Sequence, residues 1–209
     1  MQSFGKSRIL IIGCGDIGLR VAKQLAKNYQ VYALTSHRDC RTRNLLRILS
    51  QGSGVVRRFI YISTTGVYGD HKGERVIEST PVKPQSERAK RRVDAEQVLR
   101  LWALAHGVAL TILRVPGIYA LDRLPIERIQ SRTPALLAVE DAYSNHIHSD
   151  DLARLICAAV YHGKPQRVIN ASDGGEAKMG DYFDAVADAF GLERLPRLPA
   201  AELEKIVSP

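Results

Sequence analysis

No stretch of this chain approaches the roughly 18 uninterrupted apolar residues that a membrane-spanning helix needs. The opening "MQSFGKSRILIIG" runs from a short polar start straight into a strand, without the apolar core and cleavage site of a secretory signal. A soluble, cytoplasmic protein without a membrane partner is expected. Cysteine is scarce: Cys14, Cys40 and Cys157 are odd in number and lack paired zinc spacing, which argues against a closed disulfide framework and leaves buried thiols as the expectation. Internal repeats and low-complexity tracts are absent. A recognisable nucleic-acid motif is missing too. The formal charge of +8 favours polyanions in general, but the basic residues are spread over several segments, and no nucleic-acid partner is expected.

What is present is ordinary globular composition, 45% hydrophobic and 25% charged over 209 residues, enough for one substantial core with a small lobe. Arg8 to Ile12 reads as a buried parallel strand, Ile17 to Lys27 as a helix with Ile17, Val21 and Leu25 on one face, and Gln30 to Ser36 as a second strand. "RTRNLLRILSQGSG" reads as a short helix and Val56 to Thr64 as another buried strand. A long charged helix follows over about Glu87 to His106, its inward face including Val93, Leu99 and Trp102. "VALTILRVPGIYA" is a strand running into a Pro-Gly loop. Asp150 to Tyr161 is helical, Arg167 to Ala171 a short strand, and "KMGDYFDAVADAFGL" an amphipathic helix with Gly191 placed to end it. The order is that of an α/β protein with a Rossmann-type doubly wound parallel sheet.

Gly13-Cys14-Gly15-Asp16-Ile17-Gly18 falls between the first strand and the first helix, where a dinucleotide fold needs its glycines. Gly13 permits the tight turn, Gly15 lets a diphosphate approach the backbone, and Gly18 lets helix pack on strand. The anion then sits on the free N–H groups of the helix, those of Asp16 and Ile17 among them. The second strand ends in Thr35-Ser36-His37-Arg38, with no acid to take a ribose 2′-hydroxyl. Arg38 suits a 2′-phosphate instead, so NADP is favoured over NAD.

"YISTTGVYGD", then "LRVPGIY", then "NHIHSDDLA" together resemble the extended short-chain dehydrogenase/reductases, the NAD(P)-dependent epimerase/dehydratase group that often acts on nucleotide sugars. The resemblance runs along nearly the whole chain. It implies that Thr64, with Ser63 beside it, supplies the hydroxyl that bonds the reacting substrate oxygen. Ser63 also counts among the cofactor contacts, and Pro116, Gly117 and Ile118 would lie against the nicotinamide, with Arg114 ending the strand that leads there. His146, His148 and Asp151 match that family's packing and helix-start turn, and no further ligand set accompanies the histidines, so no metal is expected.

Such enzymes carry Tyr-x-x-x-Lys on the helix after the Val-Tyr-Gly segment, where an adjacent ammonium and the cofactor lower the phenol's pKa for proton transfer. No tyrosine occurs here between Tyr68 and Tyr119. One register puts Ser86 and Lys90 at the two positions. The other, which also matches a downstream glutamate with Glu96, puts Arg88 and Arg92 there and is preferred. Lys90 is a candidate proton carrier, and Lys90 or Arg92 could touch a cofactor ribose or phosphate.

Compared with that family's connectivity, roughly forty to fifty residues, two strands with their crossovers, have no counterpart between Ser36 and Val56, the join falling near residues 38–42. The expected division is therefore a shortened Rossmann core over 1–120 and a mixed segment over 121–209 that completes the sheet and forms a partial substrate lobe. An oxidoreductase or epimerase acting on a small or nucleotide-linked carbonyl or hydroxyl compound is implied, as is a second copy of the chain as partner. The rival is a non-catalytic dinucleotide-binding protein of redox-sensor type.

Overall fold

The computed structural model describes residues 6–12, 15–34, 42–52 and 56–207. Strand β1 (Arg8–Ile12) leads into helix α1 (Asp16–Leu25) and strand β2 (Gln30–Leu34), which pairs parallel with β1 in the register Arg8 to Gln30 through Ile12 to Leu34. Helix α2 (Thr42–Gln51), strand β3 (Arg58–Thr64), helix α3 (Glu87–Ala105) and strand β4 (Ala109–Val115) follow. Next come β5 (Gly117–Tyr119), α4 (Ile126–Gln130), β6 (Ala135–Leu136), β7 (His146–His148) and α5 (Ser149–His162). The chain closes with β8 (Arg167–Asn170), α6 (Met179–Ala189), β9 (Arg197–Leu198) and α7 (Ala200–Val207).

Alternation along the strands sorts the core into two layers on opposite faces of a parallel β3-β4-β8 sheet. Ile60, Ile62, Leu113 and Val115 face one way and pack with Val21 and Leu25 of α1 and Leu152 and Ile156 of α5. Phe59, Tyr61, Leu110 and Ile112 face the other way and pack with Leu46 of α2 and Leu99 and Ala103 of α3. Helices on both faces of a parallel sheet make the doubly wound arrangement. A third cluster, Ile129, Ala135, Phe183, Val186, Ala187 and Leu195, gathers α4, α6 and the β6–β9 pair near the C-terminal end.

Two expectations need correction. The apolar run of β1 implies burial on both faces, but only Ile9 and Ile11 meet the core, while Leu10 and Ile12 are 54% and 39% exposed. Among the described residues, no helix covers that second face, and the β1–β2 ladder is not hydrogen-bonded to β3. The Pro-Gly loop after β4 is a strand instead: Gly117 to Tyr119 pairs parallel with His146 to His148, so tertiary pairing overrides weak local preference. The tail is helical as α7, whose first turn bonds back to Pro199 through the N–H groups of Glu202 and Leu203. Gly191, at φ +63°, does sit just beyond the end of α6, where the left-handed backbone suits glycine.

Candidate functional site

The C-terminal ends of β1, β3 and β4 carry the residues singled out by sequence, and in open α/β sheets ligands bind outside those ends. Gly13 and Arg38 lie outside the described residues, as do Cys14 and Cys40. Gly15 stands at the N-cap of α1 with no side-chain cap, and among the described residues a Cβ built on it would meet no atom within 4 Å beyond its chain neighbours. Open space in front of uncapped helical N–H groups fits an anion at close approach to the backbone. Ile17 turns its side chain into the core beside Val21 and Leu25, so what it offers a ligand is its backbone. Gly18 lies half-buried within α1.

Asp16, the first helical residue, has a second role. Its Oδ1 accepts from Arg20 Nε at 2.9 Å, and its Oδ2 lies 3.2 Å from Arg123 Nη2. Arg20 also donates from Nη1 to Asp150 Oδ1 at 2.6 Å, which ties α1 to the first turn of α5. That bond holds the Asp150 carboxyl below its usual range and, with the bond to Asp16, keeps the Arg20 guanidinium above its own.

At the tip of β3 the two adjacent hydroxyls diverge. Thr64 Oγ1 accepts from the Gly66 N–H at 3.2 Å, which leaves its own proton free to donate. Ser63, 4% exposed, donates its proton inward to Glu96 Oε1 at 2.6 Å. Glu96 and Arg114, 3% and 4% exposed, form a two-point ion pair, Nε to Oε1 at 3.2 Å and Nη2 to Oε2 at 2.8 Å. The Arg114 guanidinium also stacks over the Tyr68 ring at 4.8 Å, and the Tyr68 hydroxyl donates to Asn170 Oδ1 at 2.7 Å. Burial alone would lower the Arg114 pKa, but Glu96 and Tyr68 outweigh it and hold the group above its ordinary value. Arg114 was read only as a strand end; the signal for the pair was Glu96, placed inward by helical spacing with Ala89 and Leu99.

On α3, Ser86 is the N-cap, its Oγ accepting from the Ala89 N–H at 3.2 Å. Lys90 is exposed and paired with Glu87 at 2.7 Å. Arg92 is half-buried and donates from Nη1 to the Tyr61 hydroxyl at 3.1 Å. Arg88 is exposed.

Pro116 and Ile118 are half-buried and Gly117 is exposed, all just beyond the end of β4. Thr64 is in register with Val115, and Gly117 with His146. A Cβ on Gly117 would lie 2.8 Å from His146 Cδ2, so glycine here admits the imidazole against the backbone. His148 caps α5, its Nδ1 accepting from the Asp150 N–H at 3.3 Å. Asp151 is exposed and pairs with Arg154 at 2.6 Å.

dTDP-glucose 4,6-dehydratase of Mycobacterium tuberculosis is 28% identical over 159 residues, covering 64% of this chain and 48% of that protein. The chain spans about half or less of the length of the curated relatives it matches. Among solved structures, a conserved protein of unknown function from Silicibacter pomeroyi superposes with a TM-score of 0.76 at 21% identity, over 94% of this chain and 83% of the other. dTDP-glucose 4,6-dehydratase from Bacillus anthracis, solved in complex with NAD, superposes with a TM-score of 0.71 at 15% identity, over 95% and 89%. Both share the Rossmann-type α/β fold. The "NAD dependent epimerase/dehydratase family" profile matches residues 41–172, which take in the β3 hydroxyl segment, the Pro116–Ile118 segment and the His146–Asp151 helix start. With more than half of its length matched, the chain belongs to that family.

Proposed function

We propose that the chain binds a nicotinamide dinucleotide and acts as an oxidoreductase or epimerase on a nucleotide-linked carbonyl or hydroxyl compound. The observation that carries this is Thr64, at the C-terminal end of β3 in register with Val115 just before Pro116, with its hydroxyl proton free among the described residues. The open space at Gly15 and the uncapped start of α1 fit the diphosphate. In the family a bound dinucleotide supplies hydride transfer. This chain's residues then have the following tasks: Gly15, Asp16, Ile17 and Gly18 hold the diphosphate by backbone, and Pro116 to Ile118 flank the ring. Arg92, now bonded to the Tyr61 hydroxyl, contacts the cofactor ribose or phosphate, and Thr64 donates to the substrate oxygen. Arg38 gives the preference for NADP. The compound is a nucleotide sugar, as in the similar dehydratases.

A second reading, a dinucleotide sensor without turnover, rests on the absence of any tyrosine on α3. Calorimetric titration with NADP and NAD, paired with turnover assays on UDP-glucose and dTDP-glucose, separates the two. Gly15→Val should abolish dinucleotide binding, because a branched side chain fills the approach path, while leaving the melting temperature nearly unchanged. Unaltered affinity in that variant would sink the phosphate assignment, and binding without any turnover would favour the sensor.

A further inference from the structure

A cleft of about 410 Å³ runs along the outer edge of β8, at the far end of α5 from the residues assigned above. Helix α5 has 14 residues, so at about 1.5 Å each its two ends lie about 21 Å apart. His162, in the last turn of α5, lines one end of the cleft with Lys164 and Arg167, and Glu78 lines the other. Arg58 Nη1 donates to Gly163 O and, at 3.3 Å, to Ala159 O, which fixes the turn between α5 and β8 as a wall of the cleft.

Among the described residues β8 pairs with β4 on one side only, so every second residue turns its main-chain groups to a free edge. Ala171 N–H donates inward to Arg114 O, whereas Asn170 N–H donates outward to Glu78 Oε1, both at 2.9 Å. Two residues back from Asn170, Val168 faces outward as well, and neither its N–H nor its C=O has a partner among the described residues. The Asn170 N–H first, then its own N–H, holds the Glu78 carboxyl below the usual range, so it stays ionised and closes the edge at Asn170. The open part of the edge is cationic. Lys164 and Arg167 are exposed, and neither forms an ion pair among the described residues.

A free N–H and a free C=O on one strand residue call for a ligand that offers both an acceptor and a donor at strand spacing. A simple anion would satisfy the N–H and set its charge against the carbonyl. An extended peptide pairs with both groups through one of its own residues, as opposed residues of an antiparallel ladder do. The unpaired cations beside Val168 then select acidic side chains on that peptide. A second copy of the chain matches less well: pairing β8 with itself about a two-fold axis at Val168 sets Arg167 opposite Ile169, so the two Arg167 side chains become diagonal neighbours on one face. We propose that the edge of β8 docks an acidic, extended peptide segment of another protein, added as an antiparallel strand beside Val168 with its carboxylates on Lys164 and Arg167. The site is independent of the dinucleotide and the reaction proposed above.

The test is an NMR titration of the full chain with the blocked peptide acetyl-Glu-Val-Glu-Val-Glu-amide, following the amides of Gly163, Val168 and Asn170. Comparison probes are the counterpart with lysine in place of glutamate, the acidic peptide N-methylated throughout, inorganic phosphate and an octathymidylate. The N-methylated peptide keeps its charge and loses its strand donors. A saturable shift at Val168 with the acidic peptide is expected, with binding of the lysine and N-methylated peptides weaker by about tenfold or more. Arg167→Glu combined with Lys164→Glu, both at exposed positions, should weaken the acidic peptide by about tenfold or more and strengthen the lysine peptide. Affinity for the acidic peptide should also fall as salt rises. Absence of a saturable shift at Val168, or unchanged affinity in the doubly substituted chain, would overturn the proposal. Equal affinity for the N-methylated peptide or phosphate would make the edge a simple anion site, and equal affinity for octathymidylate a nucleic-acid site; either result overturns strand addition. A Val168 shift that follows protein concentration without peptide, with dimer formation in sedimentation, would assign the edge to a second copy and overturn it too.

Discussion

Replacing Glu96 by alanine strands the guanidinium of Arg114, a residue 4% exposed, whose Nη1 already has no partner among the described residues. Breaking one side of a buried ion pair costs about 3–5 kcal/mol, because the remaining charge keeps its desolvation penalty without compensation. Ser63 also loses its acceptor, adding about 1 kcal/mol. The total approaches a large share of the roughly 5–15 kcal/mol that holds a domain together. In urea denaturation with a slope of about 2 kcal/mol per molar, the midpoint should fall by about 2 M, or the variant should fail to fold at room temperature. The paired change Glu96→Leu with Arg114→Met removes both charges and fills a similar volume, so it should recover most of the loss. A single variant within about 1 kcal/mol of the wild type, or a double variant no better than the single, would refute the claim that the charge left behind dominates. The pair underlies the tip of β3, so the recovered double variant also reports whether Thr64 needs it for position.

Three further outcomes are expected. Thr64→Val keeps the volume but removes the donor, so turnover should drop by about 10²–10³-fold with dinucleotide affinity unchanged; equal losses in both would make Thr64 a cofactor residue. Arg88→Tyr with Arg92→Lys restores a phenol and ammonium four residues apart on α3 and should raise turnover, and a gain from Ser86→Tyr beside Lys90 in its place would shift the register by two residues. Burial holds His146 below the ordinary imidazole value, with Asp173 opposing, so the unfolded chain takes up its proton first as the pH falls. Stability should therefore decline as pH drops through about 6.5 toward the lower folded value. Thermal melts between pH 8 and 5 should show a shallower decline in His146→Phe, and parallel curves would exclude His146 as the source.

Much of the central sheet was legible because β3 and β4 carry near-continuous apolar runs bounded by turn residues, the mark of strands covered on both faces. Helix α3 was legible from its spacing despite its charge: of the expected inward residues Leu99 is buried and Val93 and Trp102 are half-buried, while the small Ala89, Ala95 and Ala103 complete the inward side. The β5–β7 pair was not legible: each strand has three residues, one opening on glycine and the other framed by two histidines, and only pairing across the chain makes them strands. The same distance in sequence hid the aromatic cluster of Tyr119, His146 and Tyr182, which share no local pattern. The divergence of Ser63 and Thr64 was hidden for another reason. Adjacent strand residues point to opposite faces, so two neighbouring hydroxyls could not both serve one ligand, but the sequence alone did not say which face held Glu96.

The first strand shows how a correct local reading can still mislead about surroundings. Its five residues, Arg8 to Ile12, form the expected strand and pair with β2 as the glycine turn requires. Four of those residues are apolar, a pattern that fits a strand covered on both faces. In the fold, α1 and α5 cover Ile9 and Ile11, while Leu10, Ile12 and the neighbouring Tyr32 of β2 remain on the open face. Helices α2 and α3 pack against β3 and β4 and do not extend over β1. The apolar pattern of β1 therefore records a second layer that the described residues do not provide. It bears on function because Gly15 follows β1 and Thr64 ends β3, two sheet pieces that are not hydrogen-bonded to each other among the described residues. Among the described residues, shared packing on α1 and α5 joins those pieces, so the dinucleotide titration tests that packing as much as it tests the glycines.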